Sequence, residues 1–360
     1  MATRRDVLKA AAGIVFCSCG LVHNANAQQS RQKLPVTVNG KRVKTIDIHA
    51  HCHFREAGAL LGADAARFQL PPVNGAAEAF IAIDKRLAAM DAQAVDMEVL
   101  SINPFWYDRD RDLAAKIVKI QNERLAELCA SKPDRFAAFA SLTLQAPDLA
   151  VQELETAIKK QGLKGAAIGG VVDGVEFSDP KFHPVWAKAE ELGVPLFIHP
   201  QGMPELNKRL SGNGWLGNTI ANPLETTIAL SHLIFEGTLD RFPGLKIIAA
   251  HGGGYLPSNA DRSDHACLVG PKGCDPEIKL RKAPTAYLKQ IYFDSLIFTP
   301  EAIRHLAVQV GAGQIVLGSD YPYPWQLAPV DHIFACSSLS DDEKADILGR
   351  TAARLLGIVA

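Results

Sequence analysis

The stretch Thr45-Ile46-Asp47-Ile48-His49-Ala50-His51 is a short apolar run that ends in two histidines two positions apart. Four later segments have the same form, an apolar run of strand length that leads to a metal-ligating or proton-transferring side chain. They end at His199, His251, Asp294 and Asp320. In a closed parallel barrel the carboxyl ends of all strands meet at one face, so side chains far apart in sequence can lie together there. The pattern predicts a metal-dependent barrel enzyme.

Eight apolar runs of strand length recur along the chain, separated by segments with helical periodicity. The runs cover residues 44–48, 97–101, 136–143, 165–170, 195–199, 245–250, 290–295 and 314–318. Strands that alternate with helices at this spacing indicate a parallel sheet, and eight of them indicate a closed (β/α)8 TIM barrel. Residues 54–72, 201–222 and 252–283 do not fit the repeat, so we predict long loops on the catalytic face of a single domain. The tail 340–356 is predicted to be a closing amphipathic helix.

The amino terminus has the features of an export signal. Arg4-Arg5 precedes an uncharged stretch over residues 10–22, and Ala25-Asn26-Ala27 follows it. This order is typical of a twin-arginine signal peptide with a small-residue cleavage site, and the apolar stretch is shorter than the roughly 20 residues of a spanning helix. We therefore expect a signal peptide over residues 1–27, an extension over 28–43 and a catalytic barrel over 44–360. The mature protein would lie in the periplasm without stable membrane insertion; the alternative is a retained amino-terminal anchor.

Composition limits the classes of partner. The formal net charge is −1, which provides no field to attract nucleic acid or an acidic membrane surface. Five cysteines remain after the expected cleavage, an odd number without close pairs, so we expect no disulfide framework. Cys52 stands between His51 and His53, and strand alternation predicts that its thiol points away from the side that His51 uses. It is interpreted as a structural cysteine.

The histidines of the first run form half of a metal site. His49 and His51 are two residues apart, so on a strand both face the barrel interior and Ala50 faces the helices. His199 and Asp320 end equivalent strands, and three imidazoles with one carboxylate suit a single Zn²⁺ per chain, with another divalent metal as the alternative. Taken alone, His199 would be an ordinary core histidine and Asp320 a turn residue.

The turn after the sixth run is predicted to contribute the proton-transfer group. His251 is followed by three glycines, which let the backbone turn sharply and approach a ligand. We assign it to proton transfer, since imidazole can act as acid or base, and keep a fifth-ligand role as the alternative. Asp294 could orient a histidine or a loop, or could be a polar interior residue without a mechanistic role.

Four longer runs resemble the amidohydrolase superfamily, and within it the branch of 2-amino-3-carboxymuconate-6-semialdehyde decarboxylase. They are Asn222-Pro223-Leu224-Glu225-Thr226-Thr227, Arg241-Phe242-Pro243-Gly244-Leu245-Lys246, His251-Gly252-Gly253-Gly254 and Leu317-Gly318-Ser319-Asp320-Tyr321-Pro322. The resemblance covers the chain from about residue 43 to its end. It implies that one Zn²⁺ is held by His49, His51, His199 and Asp320, and that His251 handles the proton of a metal-bound water, with Asp320 both a ligand and a catalytic residue.

The resemblance also implies two substrate-binding residues. Arg262 matches an arginine that in the family reaches the site of the neighbouring subunit and holds a substrate carboxylate, which implies a homodimer or a higher homo-oligomer. A bidentate guanidinium suits a carboxylate. Trp215 matches an aromatic residue of the active-site loop.

The chain departs from the family pattern at one place. The decarboxylase has a second carboxylate-binding arginine after the first strand, for which no counterpart aligns here; Arg67 is one possibility. The fourth run ends in Ile168-Gly169-Gly170, without the lysine that bridges two metals in binuclear members, so one metal is expected.

The predicted function is zinc-dependent, non-oxidative decarboxylation of an unsaturated or aromatic carboxylic acid, a small-molecule carboxylate. The alternative is a mononuclear hydrolase of a lactone or amide, or a hydratase, which would use the same ion and base. An alternative of another class is a binding protein that has lost catalysis on a barrel scaffold. The retained ligand set and His251 argue against this last alternative.

Overall fold

The computed structural model describes residues 35–64, 80 and 82–359. The predicted signal peptide over residues 1–27 and Arg67 lie outside the described residues. A short antiparallel hairpin, Thr37–Val38 with Lys41–Arg42, precedes the main body. Within the described part of the chain, no helix combines the length and the apolarity that crossing a bilayer requires.

Eight parallel strands form the centre of the molecule. They are β1 (Ile46–His51), β2 (Met97–Ser101), β3 (Phe136–Ala138), β4 (Ala166–Ile168), β5 (Pro195–Ile198), β6 (Lys246–Ala249), β7 (Ile291–Asp294) and β8 (Ile315–Val316). β1 to β3 pair in sequence order, as do β4 to β8.

Single bridges join these two sheets at both ends. Ala140, just after β3, pairs with Ala166 of β4. Asp47 of β1 pairs with Leu317, and Ala50 with Tyr321, just after β8. The bridges complete a ring of eight parallel strands, and the predicted TIM barrel is confirmed.

Helices surround the strands. They are α1 (Arg55–Ala59), α2 (Ile83–Ala92), α3 (Arg111–Ser131), α4 (Pro147–Lys159), α5 (His183–Leu192), α6 (Leu216–Thr219), α7 (Ala221–Phe235), α8 (Thr238–Arg241), α9 (Ala260–Asp264), α10 (Ala266–Val269), α11 (Pro284–Tyr287), α12 (Pro300–Val310), α13 (Pro329–Ala335), α14 (Asp341–Ala345) and α15 (Thr351–Leu356). Their starts follow from the sequence: the Asp110 carboxylate accepts two backbone N–H groups at the start of α3, and Thr299 caps α12, which begins with Pro300.

β1 carries an irregularity that the strand pattern did not predict. Its register against β2 shifts between Asp47 and Ala50. Ile48 packs in the apolar core inside the ring, the ring of His49 also contacts that core through Phe197, and Ala50 packs outward among the helices. A bulge re-aims side chains locally. The register shift therefore lets the side chains of two consecutive residues, Ile48 and His49, both point into the barrel.

The chain ends beneath the barrel, at the amino ends of the strands. Ala352, Leu355 and Leu356 of α15 pack in the inner core, which closes the barrel from below. The predicted closing helix is present, and it contains a π-helical turn over Asp346–Arg350, between α14 and α15, that the sequence pattern did not predict. At Gly349 a Cβ atom would lie 1.9 Å from the Lys44 carbonyl oxygen, so the turn lets the backbone pass close to the residues before β1.

The cysteine count did not indicate a disulfide framework, but the structure contains a disulfide. Cys267 and Cys274 are bonded to each other across seven positions in the loop after β6. The turn Pro271–Gly273 brings the end of α10 back on itself and places the two Cα atoms 5.7 Å apart, a usual distance for a disulfide. Among the described cysteines, Cys52, Cys129 and Cys336 are free.

Candidate metal centre

The carboxyl ends of β1 and β5 and the turn after β8 bring the four predicted ligands together. His49, His51, His199 and Asp320 are all buried, and one donor atom from each lies within 4.8 Å of the others. The Nε2 atoms of His49 and His51 are 3.1 Å apart. Asp320 Oδ1 lies 3.2 Å from the first of them and 2.9 Å from the second. The four donors thus surround one common point.

His199 tests whether this cluster fits a cation. Its side chain is buried, yet neither ring nitrogen has a hydrogen-bond partner among the described residues. An unpaired buried polar atom is costly, and native structures seldom leave one without a partner. A divalent ion shared by three imidazoles and a carboxylate would satisfy one of the two nitrogens, and this donor set suits zinc and its neighbours among the transition metals.

Two side chains orient the histidines of β1. Asp294 Oδ2 lies 2.6 Å from His49 Nδ1, and Ser101 Oγ lies 3.1 Å from His51 Nδ1. With Nδ1 engaged in this way, each ring directs Nε2 toward the shared point. Histidine ligands in metal sites commonly have such a partner on the second nitrogen, which fixes the tautomer and the ring orientation.

Asp294 also holds the turn after β6. Its carboxylate accepts the backbone N–H groups of His251, at 2.9 Å, and Gly252, at 2.8 Å. The two roles that the sequence left open for Asp294, orienting a histidine and orienting a loop, are both present in the structure.

The site favours an ionised carboxylate and one charged imidazole. Burial alone would raise the pKa of Asp320, but the nearby histidines, His49 first, hold that pKa well below its usual range. Burial opposes a charge on His49 as well, yet Asp320 and Asp294 outweigh it and raise the His49 pKa to about 10. Burial lowers the pKa of His199 well below its usual range, and His51 and His49 lower it further. Since a metal ligand must be neutral imidazole, metal binding requires His49 to release its proton.

His251 lies between the four ligands and a cavity. Its Nε2 is 3.9 Å from Asp320 Oδ2, and its ring centroid is 5.3 Å from that of His199. The backbone has a positive φ of 56° at His251 and reaches its tightest packing at Gly254, where a Cβ atom would lie 2.1 Å from the Pro223 carbonyl oxygen. The glycines of this turn therefore bring His251 to the edge of the metal centre; its proton-transfer role stays a prediction.

The cavity has a volume of about 320 Å³ and an apolar, aromatic wall. Leu296, Phe298 and Trp325 line it beside His251. Trp215, which is half-exposed, stacks on Trp325 with ring centroids 5.7 Å apart and planes inclined by 11°. Trp215 therefore lies near the cavity that its family match implies, in contact with one lining residue.

Sequence reasoning missed three of these side chains. Ser101 ends β2, and the rule that located the ligands at strand ends could have found it. Trp325 closes the aromatic run that begins at Tyr321, directly after Asp320, which was an available signal. Phe298 carried no signal, because only the course of the loop after β7 brings it to the cavity.

Arg262 does not lie at the metal centre of its own chain. It is exposed on α9 and lines a different surface pocket, together with Asn259 and Val269. Its action on a neighbouring subunit stays a prediction.

The comparisons with known proteins agree with this geometry. A family model described as amidohydrolase matches residues 46–358. The chain belongs to the amidohydrolase family. It is 32% identical over 278 residues to the 2-amino-3-carboxymuconate-6-semialdehyde decarboxylase of Dictyostelium discoideum, covering 76% of each chain. The predicted membership of this superfamily is confirmed.

Two solved structures of the family extend the comparison. A 2,6-dihydroxybenzoate decarboxylase in complex with 2,6-dihydroxybenzoate superimposes with a TM-score of 0.76 at 28% identity, covering 88% of this chain and 99% of the other. A dihydroxybenzoic acid decarboxylase from Polaromonas sp. JS666, with bound manganese and the inhibitor 2-nitroresorcinol, has a TM-score of 0.76 at 25% identity and covers 88% and 97%. These decarboxylase structures confirm the predicted enzyme class, a metal-dependent carboxy-lyase.

Proposed function

We propose that the protein is a zinc-dependent, non-oxidative decarboxylase of an aromatic carboxylic acid. The observation that carries the proposal is the position of His251, which lies beside a buried set of four metal ligands and also lines a cavity with aromatic side chains. A planar acid that fills the cavity would present its carboxylate to the ligands and its ring to the wall.

The lining of the cavity indicates how such an acid would be held. Among the described residues that line it there is no lysine or arginine, so within one chain the bound cation is the positive group that would meet the charge of a carboxylate. Phe298 and Trp325 offer ring faces, and the amides of Asn218 and Asn222 can bond a ring hydroxyl. This lining favours a substrate with one carboxylate over a dicarboxylate.

The chemistry needs little more than positioning and one proton. When bound, the ion supplies Lewis acidity toward the substrate oxygens. The bond between the ring carbon and the carboxylate carbon breaks, carbon dioxide leaves, and the electron pair stays on the ring carbon. No electron is lost, so no oxidant is required. The ring carbon then takes a proton, and we propose that His251, which lines the cavity, delivers it.

Zinc is the metal that the donor set supports best. Imidazole nitrogens and a carboxylate oxygen are ligands that zinc binds in proteins, although several solved relatives hold manganese. Metal analysis of protein purified without added metal would decide. About one zinc per chain is expected, and manganese in its place would correct the metal while leaving the site intact.

A product assay tests the reaction. Zinc-loaded protein is incubated with 2,6-dihydroxybenzoate and with 2-amino-3-carboxymuconate-6-semialdehyde, and released carbon dioxide is measured against metal-free protein. We expect release from the monocarboxylate and less from the dicarboxylate. If zinc- and manganese-loaded protein release none from a panel of hydroxybenzoates, the proposal fails; turnover of a lactone instead would indicate the hydrolase.

We also propose that the mature protein works in the periplasm. The twin-arginine pattern before residue 28 supports export, and the Cys267–Cys274 bond supports an oxidising compartment, where disulfides persist. Cell fractionation should find the processed chain outside the cytoplasm. Recovery of the unprocessed chain only in the cytoplasm would contradict the proposal.

A further inference from the structure

A buried arginine lies directly behind the metal centre. Arg86 of α2 is fully buried, and its guanidinium contacts three separate segments. Nη1 donates to Glu98 Oε2 of β2 at 2.6 Å, Nη2 donates to the carbonyl oxygen of His51, and the guanidinium carbon lies 5.0 Å from the ring centroid of Tyr321.

Two of these three contacts fall on segments that carry ligands. His51 is itself a ligand, and Tyr321 follows the ligand Asp320. The same two segments are bonded to each other, since the backbone N–H of His51 donates to the Tyr321 carbonyl oxygen at 2.6 Å. The guanidinium of Arg86 therefore connects β1, which supplies His49 and His51, to the segment after β8, which supplies Asp320.

Charge pairing alone does not account for an arginine at this position. Burying a charge is costly unless it is paired, and Glu98 provides the pair. Apolar residues of similar volume often replace a buried pair without loss of stability. Simultaneous contact with a carboxylate, a carbonyl and an aromatic face, however, requires the planar, forked guanidinium. The geometry of the three contacts therefore explains why an arginine occupies this position.

We propose that Arg86 is a positioning residue of the metal centre. Its guanidinium fixes the backbone at His51 and the ring of Tyr321, so that the His51 imidazole and the Asp320 carboxylate stay directed at one ion. The inference rests on the metal centre of the proposed function.

The test measures metal affinity in variants of the full mature chain. Arg86→Met removes all three contacts, Arg86→Lys keeps the charge but not the fork, and the double variant Arg86→Met/Glu98→Met removes the pair without leaving a buried charge. Arg42→Met is the matched control, since Arg42 also donates to a carboxylate, Asp96, and to a backbone carbonyl, but at the opposite end of the same strands. Zinc dissociation constants come from competition with a chromophoric chelator, and thermal unfolding of the metal-free proteins reports folding.

Positioning predicts a result that a purely structural role does not. Zinc binding should weaken by about 10- to 100-fold in Arg86→Met and in the double variant, which is the usual effect of losing a group that orients metal ligands. Arg86→Lys should fall between these variants and the wild type, and cobalt-loaded Arg86 variants should show altered visible absorption. Arg42→Met should bind zinc as tightly as the wild type, even if it unfolds at a lower temperature.

The outcomes separate this inference from the proposed function. If the wild type binds no divalent metal, the proposed function fails and the role of Arg86 fails with it. If the wild type binds zinc and the double variant and Arg86→Lys bind it equally tightly, only the role of Arg86 is overturned. Should Arg86→Met not fold, the double variant and Arg86→Lys still decide.

Discussion

The distance between His251 and the four ligands determines what His251 can do. Its Nε2 stays 3.9 Å from the nearest Asp320 oxygen, while the ligand atoms of His49 and His51 lie 3.1 Å apart. Its Nδ1 has no hydrogen-bond partner among the described residues, so the turn held by Asp294 places the ring. We therefore expect this ring, which its backbone positions at the edge of a cavity, to exchange a proton with a substrate.

Replacing His251 therefore separates catalysis from metal binding. In His251→Asn we expect about one metal ion per chain, and turnover reduced by roughly 10²- to 10⁴-fold, the usual contribution of a general acid or base. His199→Asn is the control and should lose the metal itself. Metal content and steady-state rates measure both effects. Loss of the ion from His251→Asn would indicate the fifth-ligand alternative, and unchanged turnover would remove its catalytic role.

The sequence could predict the ligands but not the residues that orient them. His49, His51, His199 and Asp320 each follow an apolar run, so the convergence of strand ends in a barrel is enough to place them on one face. The partnership of Asp294 with His49, 245 positions earlier, depends on which strands become neighbours. Periodicity carries no information about such pairings.

At the scale of elements, the sequence pattern did not predict where β1 ends or where the tail helix is interrupted. The first strand run was predicted over residues 44–48, but β1 continues to His51, because the register shift and the pairing with the segment after β8 extend it. The tail was predicted as one helix, since its apolar residues keep a helical period. Its break at Gly349 depends on the backbone of Lys44, which lies distant in sequence.

The π-helical turn provides a test of close packing. Gly349→Ala would place a methyl group 1.9 Å from the Lys44 carbonyl oxygen, so the backbone would have to move. We expect the free energy of unfolding to fall by about 1–3 kcal/mol, as in other overpacked sites. Gly313→Ala is the control, because a Cβ atom there would lie 3.9 Å from its nearest neighbour, Arg354 Nη2. Urea unfolding measures both variants. Equal free energies of unfolding for Gly349→Ala and Gly313→Ala would show that the Lys44 backbone moves aside without loss of stability.

α4 carries a carboxylate whose ionisation opposes folding. Glu153 accepts the N–H and the hydroxyl of Thr143, and burial raises its pKa from 4.5 to about 7. The folded protein binds this proton more tightly than the unfolded chain does. Its contribution to stability is therefore complete below pH 4.5 and is lost as the pH rises through about 7.

Glu153→Gln removes that ionisation. Between pH 5 and pH 8 the wild type should lose at most about 3 kcal/mol of unfolding free energy relative to the variant. Glu155→Gln on the same helix is the control: that carboxylate is exposed and paired with Lys159, so its difference from the wild type should change little over this range. Urea unfolding at three pH values measures the trend. A constant difference between the wild type and Glu153→Gln would contradict it.

At the scale of the whole molecule, the loop after β6 carries the features expected of a subunit contact. Arg262 is exposed on α9, and Leu268 and Val269 of α10 are 79% and 83% exposed. The disulfide between Cys267 and Cys274 ties down the segment that presents them. The sequence predicted a homo-oligomer from Arg262 alone, and the exposed apolar pair adds support to that prediction.

Mixing two inactive variants tests whether Arg262 acts across an interface. Arg262→Ala and His251→Asn should each lose most of their activity. In a hybrid dimer, one site would combine the intact His251 of one chain with the intact Arg262 of the other. Mixing after subunit exchange should therefore restore roughly a quarter of wild-type activity per chain, since half of the dimers are hybrids with one complete site. Activity that stays at the level of the unmixed variants would contradict the shared site, as would a fully active monomer in sedimentation.

Few backbone hydrogen bonds join the ring of strands where its metal ligands lie. β8 spans only Ile315–Val316. β1 is joined to the segment that follows β8 by a few backbone hydrogen bonds, among them Ile48 N–H to the Leu317 carbonyl and Asp320 N–H to the His49 carbonyl. An ion held by His49 and His51 on one side and Asp320 on the other would cross-link β1 to the segment after β8. Chelation should then speed deuterium uptake at the Ile48 and Asp320 amides before the β5–β6 pairing loosens, which makes the ion part of the architecture as well as of the chemistry.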